Sequence, residues 1–135
     1  MRETLFSSLS QRLHLHEMIN SSPRDVRMVE VQALLDSSQL SRGHGALQYS
    51  LTAATYLMGL TASCDVLGLN ITAAAQNESA NVLWDQGEMT ASIRVLQDMN
   101  SSLDLRHQAV RVGKAELLAK LVRFTVSPRR LTSSC

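Results

Sequence analysis

The chain's 135 residues suffice for one domain or a few stacked helical pairs. Apolar residues at 44% and charged residues at 19% describe a folding chain rather than a disordered one. A formal net charge of +1 gives no electrostatic case for nucleic acid, a membrane surface or a strongly acidic partner. With aromatics at only 4%, the core has to be built from Leu, Val, Ala and Met, which favours helix packed on helix over a β-sandwich. No apolar run approaches the roughly 18 residues that a bilayer crossing needs. The first residues, Met1 to Ser8, lack the apolar stretch of a secretory signal. Asn20, Asn70, Asn77 and Asn100 open Asn-x-Ser/Thr triplets, read as compositional in a chain expected to be intracellular. Cys64 and Cys135 have neither metal-type spacing nor a disulfide framework, and Cys64 reads as a buried, reduced side chain.

Arg2 to Ile19 is predicted as a first helix, with Leu5, Leu9 and Leu13 on one stripe and Phe6, Leu15, Met18 and Ile19 broadening it. Asn20-Ser21-Ser22-Pro23 breaks it. Ser22 is suited to cap the next helix, with Pro23 at its first position and Asp25 three residues on. That second helix is predicted to reach about Leu40. Val26, Val29 and Ala33 lie on one side and Met28, Val31 and Leu35 on another, so it needs neighbours on two sides.

Ser41 to Gly45 reads as a turn. From Ala46 a single long helix is predicted to end at Gly68, roughly 33 Å at 1.5 Å per residue. Leu47, Leu51, Ala54 and Met58 form one stripe of it; Tyr56, Leu57, Leu60, Cys64 and Leu67 form an adjoining one. Asn70 is placed to cap the next helix, which runs through Ala73, Ala74 and Ala75.

The segment Ala80 to Met99 has the pattern of two antiparallel helices joined at Gly87. Ala80, Leu83 and Trp84 recur at helical spacing before the glycine, and Met89, Ile93 and Leu96 after it, widened by Val95 and Met99. Gly87 fits a left-handed helix end, and Glu88 puts a negative charge at the start of the second helix. Trp84, the one tryptophan, is expected to wedge between these two helices. Ser101 to Arg106 reads as a polar connection, and a last helix centres on Ala115 to Val122, with Leu117, Leu118, Leu121 and Val122 as its apolar positions. From Arg123 the helical period is lost, and the stretch to Cys135 is expected to be a frayed tail. Short turns and no strand signal point to an all-α fold of antiparallel helical hairpins, stacked as a solenoid of the tetratricopeptide kind or as a bundle.

Residues that could do chemistry do not assemble in the sequence. His14 and His16 are two apart and point to different faces of a helix, and the second histidine of a zinc-protease pattern begun by His16-Glu17 would fall on Asn20. His44 and His107 have no companion. No serine sits in a Gly-x-Ser-x-Gly elbow, and Gly43-His44-Gly45 lacks the lysine of a phosphate loop. The expectation is no catalytic residue, no cofactor and no metal. The residues singled out, Trp84, Gly87, Leu83, Ile93, Ser22 and Pro23, have structural roles.

Asn81-Val82-Leu83-Trp84-Asp85-Gln86-Gly87-Glu88-Met89-Thr90-Ala91-Ser92-Ile93 resembles a segment in the FAT region of ATM-type PIKKs, the phosphoinositide-kinase-related protein kinases, with the fungal telomere-maintaining branch nearest in pattern. Ser10 to Met18, Glu30 to Asp36 and Lys114 to Leu121 resemble further blocks of that region in the same order, so the likeness covers nearly all of Met1 to Leu121. It implies a tetratricopeptide-like helical array cradling a serine/threonine kinase domain, with nuclear roles in DNA-damage signalling and telomere maintenance. The family's ATP-binding and catalytic motifs have no counterpart here, so no catalytic residue carries over. Ser10-Gln11 and Ser38-Gln39 match the dipeptide such kinases favour, at a frequency chance explains.

After Leu121 the family pattern would continue into another helix, whereas this chain reads Val122-Arg123-Phe124-Thr125 and then the Ser/Arg-rich end. That departure is read as an altered frame or retained intron near Val122, dividing a partial FAT-like segment, 1–122, from a tail, 123–135. The leading expectation is a non-catalytic scaffold segment whose partner is the rest of a kinase polypeptide, with no direct nucleic-acid or membrane contact. The alternative is a free-standing helical adaptor that binds a protein partner. A small metal- or nucleophile-dependent enzyme, the third reading, has no reactive cluster to support it.

Overall fold

The computed structural model describes residues 22–127, all of whose regular structure is helical. The predicted helix Arg2 to Ile19, with His14, His16 and Glu17, lies outside the described residues, as does the chain from residue 128 onward. Six helices follow in order: α1 (Pro23–Gly43), α2 (Leu47–Gly59), α3 (Thr61–Val66), α4 (Thr72–Asp85), α5 (Met89–Ser102) and α6 (Lys114–Thr125).

Each long helix packs chiefly on its spatial successor. α1 lies on α2, α2 on α4, α4 on α5 and α5 on α6, with a smaller contact between α1 and α4. This stacking makes the molecule an array of hairpins, and it puts α4 in the middle. Ala74 and Ala75 of α4 belong to one core with Val31, Leu34, Leu35, Ala53, Leu57 and Cys64. Ala73 and Ala80, on its other side, share a second core with Leu96, Met99 and Leu117. Alanines suit a helix enclosed on both sides, because their short side chains let neighbouring backbones come close. Buried apolar surface of this extent is the main force holding the layers together.

The helix ends follow local chemistry. The Ser22 hydroxyl accepts from the amide of Asp25 at 3.2 Å, and Pro23 occupies the first helical position of α1. Three helix ends close on a glycine with positive φ: Gly45 (74°), Gly68 (77°) and Gly87 (88°). In each, the residue after the glycine donates back five positions: Ala46 to Ser41, Leu69 to Cys64 and Glu88 to Leu83. These bonds satisfy carbonyls that a helix end otherwise leaves open.

Several boundaries differ from the sequence reading. The first described helix runs three residues past Leu40, to Gly43, and Val29 faces outward while Leu34 and Glu30 are buried. The helix expected as continuous from Ala46 to Gly68 is interrupted at Leu60. There the Thr61 hydroxyl donates to the Met58 carbonyl at 2.8 Å, competing with the backbone ladder after Gly59. Leu51, Tyr56 and Met58 of the expected stripes are exposed, and Ala53, Ala54, Leu57, Leu60 and Cys64 form the inward face.

Asn70 accepts from the Thr72 amide at 3.2 Å, one residue ahead of the capping position, which Ile71 occupies. A second acceptor comes from far along the chain: Gln108 Oε1 takes the Ala73 amide at 3.1 Å. The connection that carries Gln108 spans 103–113, longer than expected and partly apolar, with Leu103, Leu105, Ala109, Val110 and Val112 packed on the two cores. His107 in this connection takes a φ of 60°. The last helix extends to Thr125, three residues beyond Val122, so Arg123, Phe124 and Thr125 are helical.

Candidate functional site

The most developed polar constellation is built around Glu78 on α4, which is only 1% exposed. Ser38 of α1 donates its hydroxyl to Glu78 Oε2. Arg42, one helical turn further along α1, donates from Nε to Oε2 at 2.8 Å and from a terminal nitrogen to Oε1 at 3.1 Å. Asn81 donates to Oε1 at 3.4 Å, and Arg42 also lies 3.6 Å from Asp85 at the end of α4. A two-pronged guanidinium–carboxylate pair with a hydroxyl donor supplies a buried carboxylate with the hydrogen bonds it loses on leaving water. The network ties α1 to α4 across the face where α2 also packs, since the Ser38 hydroxyl lies 3.5 Å from the Ser50 carbonyl. Ser38 is fully buried, so its Ser-Gln dipeptide is closed to a kinase in this fold. Glu78 is held by Arg42 and shielded from solvent, so Ser38 has no access to a substrate and the group acts as a fastening.

A second polar cluster lies between α4 and α6. Lys120 is half-buried, and its ammonium donates to Asn77 Oδ1 at 2.8 Å. Burial pushes its pKa down, and the nearby Arg42 and Arg123 push the same way, with Glu78 and Glu116 opposing. No described carboxylate lies within ion-pairing distance of Lys120, and Arg123 has no partner among the described residues. Glu116, although on the same helix, has its side chain folded back over Gly113: a Cβ placed there would stand 3.7 Å from Oε1. At that point the carboxylate meets the positive end of α6. A cleft of about 290 Å³ opens here, lined by Asn77, Val112, Glu116, Ala119, Lys120 and Arg123 above Leu117.

The residues singled out from sequence are distributed along the array. Ser22 and Pro23 start α1. Ile93 is buried on α5, and Leu83 is half-buried, its carbonyl closing the α4 end at Gly87. Trp84 is also half-buried, and it has an aromatic neighbour on a third helix that the sequence reading did not anticipate. The indole stacks on Phe124 of α6, with ring centroids 3.9 Å apart and planes inclined by 11°. Phe124 falls in the stretch read as tail, so sequence reasoning missed this contact, together with Glu78, Ser38, Arg42 and Lys120. One signal was available for Glu78: a single carboxylate between Ala73 and Ala80, on a helix with small apolar residues on both sides.

On α1 the buried Glu30 pairs with Arg27 at 2.7 Å, and both act electrostatically on Cys64. Cys64 is a free, fully buried thiol whose pKa is raised by burial. Asp104 and Arg106 form an exposed pair in the connection, which holds the Asp104 carboxyl below its usual range. Among the described residues no group of three or more His, Cys, Asp or Glu could hold a metal ion, and no helix is long and apolar enough to cross a membrane.

Stacked helical hairpins are the architecture of a packing module, and comparison with known proteins gives that module its family. The chain is homologous to the helical FAT region of PIKK-type serine/threonine kinases. The relatives are fungal Tel1 kinases: it is 47% identical over 120 residues to the serine/threonine-protein kinase tel1 of Aspergillus oryzae, and 39% identical over 132 residues to that of Neurospora crassa. These alignments cover 89% and 98% of this chain and 4% of each relative. The solved FAT and kinase domain of CtTel1 superposes with a TM-score of 0.82 at 40% identity, over 96% of this chain and 9% of that one. The complete CtTel1 dimer with C2 symmetry gives a TM-score of 0.81, with 5% of its chain covered. No protein-family model matches the sequence.

Proposed function

We propose that this chain is a non-catalytic helical scaffold segment of an ATM-like kinase, whose partner is the remainder of the kinase polypeptide. In this reading the segment works in the nucleus, in DNA-damage signalling and telomere maintenance, and helps support a kinase domain encoded elsewhere. It needs no cofactor and touches neither nucleic acid nor membrane directly. In this reading residues 1–122 are the FAT-like part and 123–135 a tail whose first three residues, Arg123 to Thr125, continue the last helix.

The observation that carries this reading is the outer face of α6. Leu118 (41% exposed), Val122 (61%) and Val126 (63%) stand on one stripe, with exposed Ala115 and Ala119 beside them. At about 100° per residue these positions fill a charge-free arc roughly 100° wide, as broad as the stripe by which a helix normally packs on a core. α6 thus has two apolar faces, one seated on α5 and one open, as a helix inside a longer stack would.

The test is association in solution. The purified chain is expected to bind hydrophobic dye and to grow in mass with concentration, and Leu118→Lys with Val122→Lys should abolish both while helicity stays constant. A wild-type chain that remains a clean monomer, binds no dye and melts in one sharp step would reject the scaffold reading and favour the free-standing adaptor.

A further inference from the structure

We infer that the cleft between α4 and α6 is a binding site for a single oxyanion, a carboxylate of an Asp or Glu side chain presented by a partner polypeptide. Three observations meet there. The Lys120 ammonium is half-buried on a neutral acceptor, Asn77, with no described carboxylate within ion-pairing distance. Arg123, whose guanidinium forms no ion pair among the described residues, lines the same cleft. The acidic side chain nearest to them, Glu116, also lines the cleft but packs against Gly113 and forms no ion pair with either cation among the described residues.

A half-buried ammonium with a neutral hydrogen-bond partner works against folding, because Glu78 and Glu116, too far away to form an ion pair, replace the lost hydration only in part. Groups that cost the folded state in this way are found where a protein binds something. The available donors are the remaining ammonium hydrogens of Lys120 and the guanidinium of Arg123, beside the Asn77 amide. A carboxylate entering here gains charge-assisted bonds from two cations. The volume, about 290 Å³, is at the lower limit of pockets for drug-sized ligands and suits one side-chain head group. Val112, Leu117 and Ala119 give its stem an apolar wall. Inorganic phosphate shares the oxyanion chemistry, so the experiment includes it as a separate arm. The inference rests on the scaffold reading only for the source of the carboxylate; the cleft is tested by a free probe and can fail while that reading stands.

The experiment titrates the full chain, at constant ionic strength, with N-acetylglutamate α-amide, its glutamine counterpart and inorganic phosphate, following the Asn77 side-chain amide by NMR. The glutamate probe is expected to give a saturable shift with a Kd on the order of 1 mM, the affinity a few charge-assisted bonds support. The glutamine probe should give none. Lys120→Met and Arg123→Gln should each weaken binding at least about tenfold, with the circular dichroism spectrum unchanged. No saturable shift in the wild-type chain would overturn the site, and so would a shift that both variants retain. Phosphate binding more than tenfold tighter than the glutamate probe would overturn the assignment to a protein carboxylate.

Discussion

Replacing Glu78 by alanine tests what the buried network contributes. The substitution leaves the Ser38 hydroxyl without its carboxylate acceptor and Arg42 without its two-pronged partner. Removing one member of a buried ion pair typically costs about 3–5 kcal/mol, since the surviving charge stays desolvated. Two features lower the figure here. The Arg42 side chain keeps 20% of its surface in solvent, and Asp85 stands 3.6 Å away to take part of its charge. The expected loss is therefore about 2–4 kcal/mol, a large fraction of the 5–15 kcal/mol that typically stabilises a domain. With a urea slope of about 1.5–2 kcal/mol/M, the unfolding midpoint followed by circular dichroism should fall by roughly 1–2.5 M. The paired substitution Glu78→Leu with Arg42→Met should cost much less than Glu78→Ala, because it leaves no orphaned charge. A loss under about 1 kcal/mol for Glu78→Ala, or a paired variant worse than the single one, would refute the claim that this carboxylate fastens α1 to α4.

Four further outcomes are expected. Trp84→Ala should cost about 2–3 kcal/mol, below the 3–5 of a fully buried aromatic because the indole is only half-buried, and Phe124→Ala should change Trp84 fluorescence in the folded state. Gly87→Ala should lose about 1–2 kcal/mol in chemical denaturation, all of it backbone strain at a φ of 88°, since nothing lies within 4 Å of the added Cβ. Ser22→Ala should cost about 1 kcal/mol through the lost cap of α1. Lys120→Met should stabilise the chain at neutral pH. The folded pKa of Lys120 lies below the ordinary 10.5, so its penalty is fully present below that folded value and is relieved as pH rises toward 10.5. The advantage of the variant should therefore shrink in thermal melts across that alkaline window, and an advantage that grew there would contradict the assigned shift.

Much of the architecture could be read from local sequence, because helix periodicity and helix termination are decided within a few residues. Ser22-Pro23 marks a helix start and Gly68 and Gly87 mark helix ends for reasons of backbone geometry that no distant contact alters. Spacing also anticipated Met89, Ile93, Leu96 and Met99 as a buried face. Chain pattern failed where a remote group entered. Thr61 and Gly59 gave too weak a local signal to foretell the break at Leu60. The cap of α4 drew on Gln108, thirty-five residues away from Ala73.

The sequence by itself determined that this protein is helical, where most of its helices stop and that its core is made of small and aliphatic side chains, since each follows from short-range periodicity and backbone preference. Only the tertiary structure decided which charges are buried together and which ring Trp84 meets, because burial and pairing are properties of surfaces brought into contact by the stack. Glu78 and Lys120 look alike in the sequence as charged residues on helices. In the fold, Glu78 faces Arg42 and Ser38 across a sealed interface, whereas Lys120 faces an open cleft with a neutral amide.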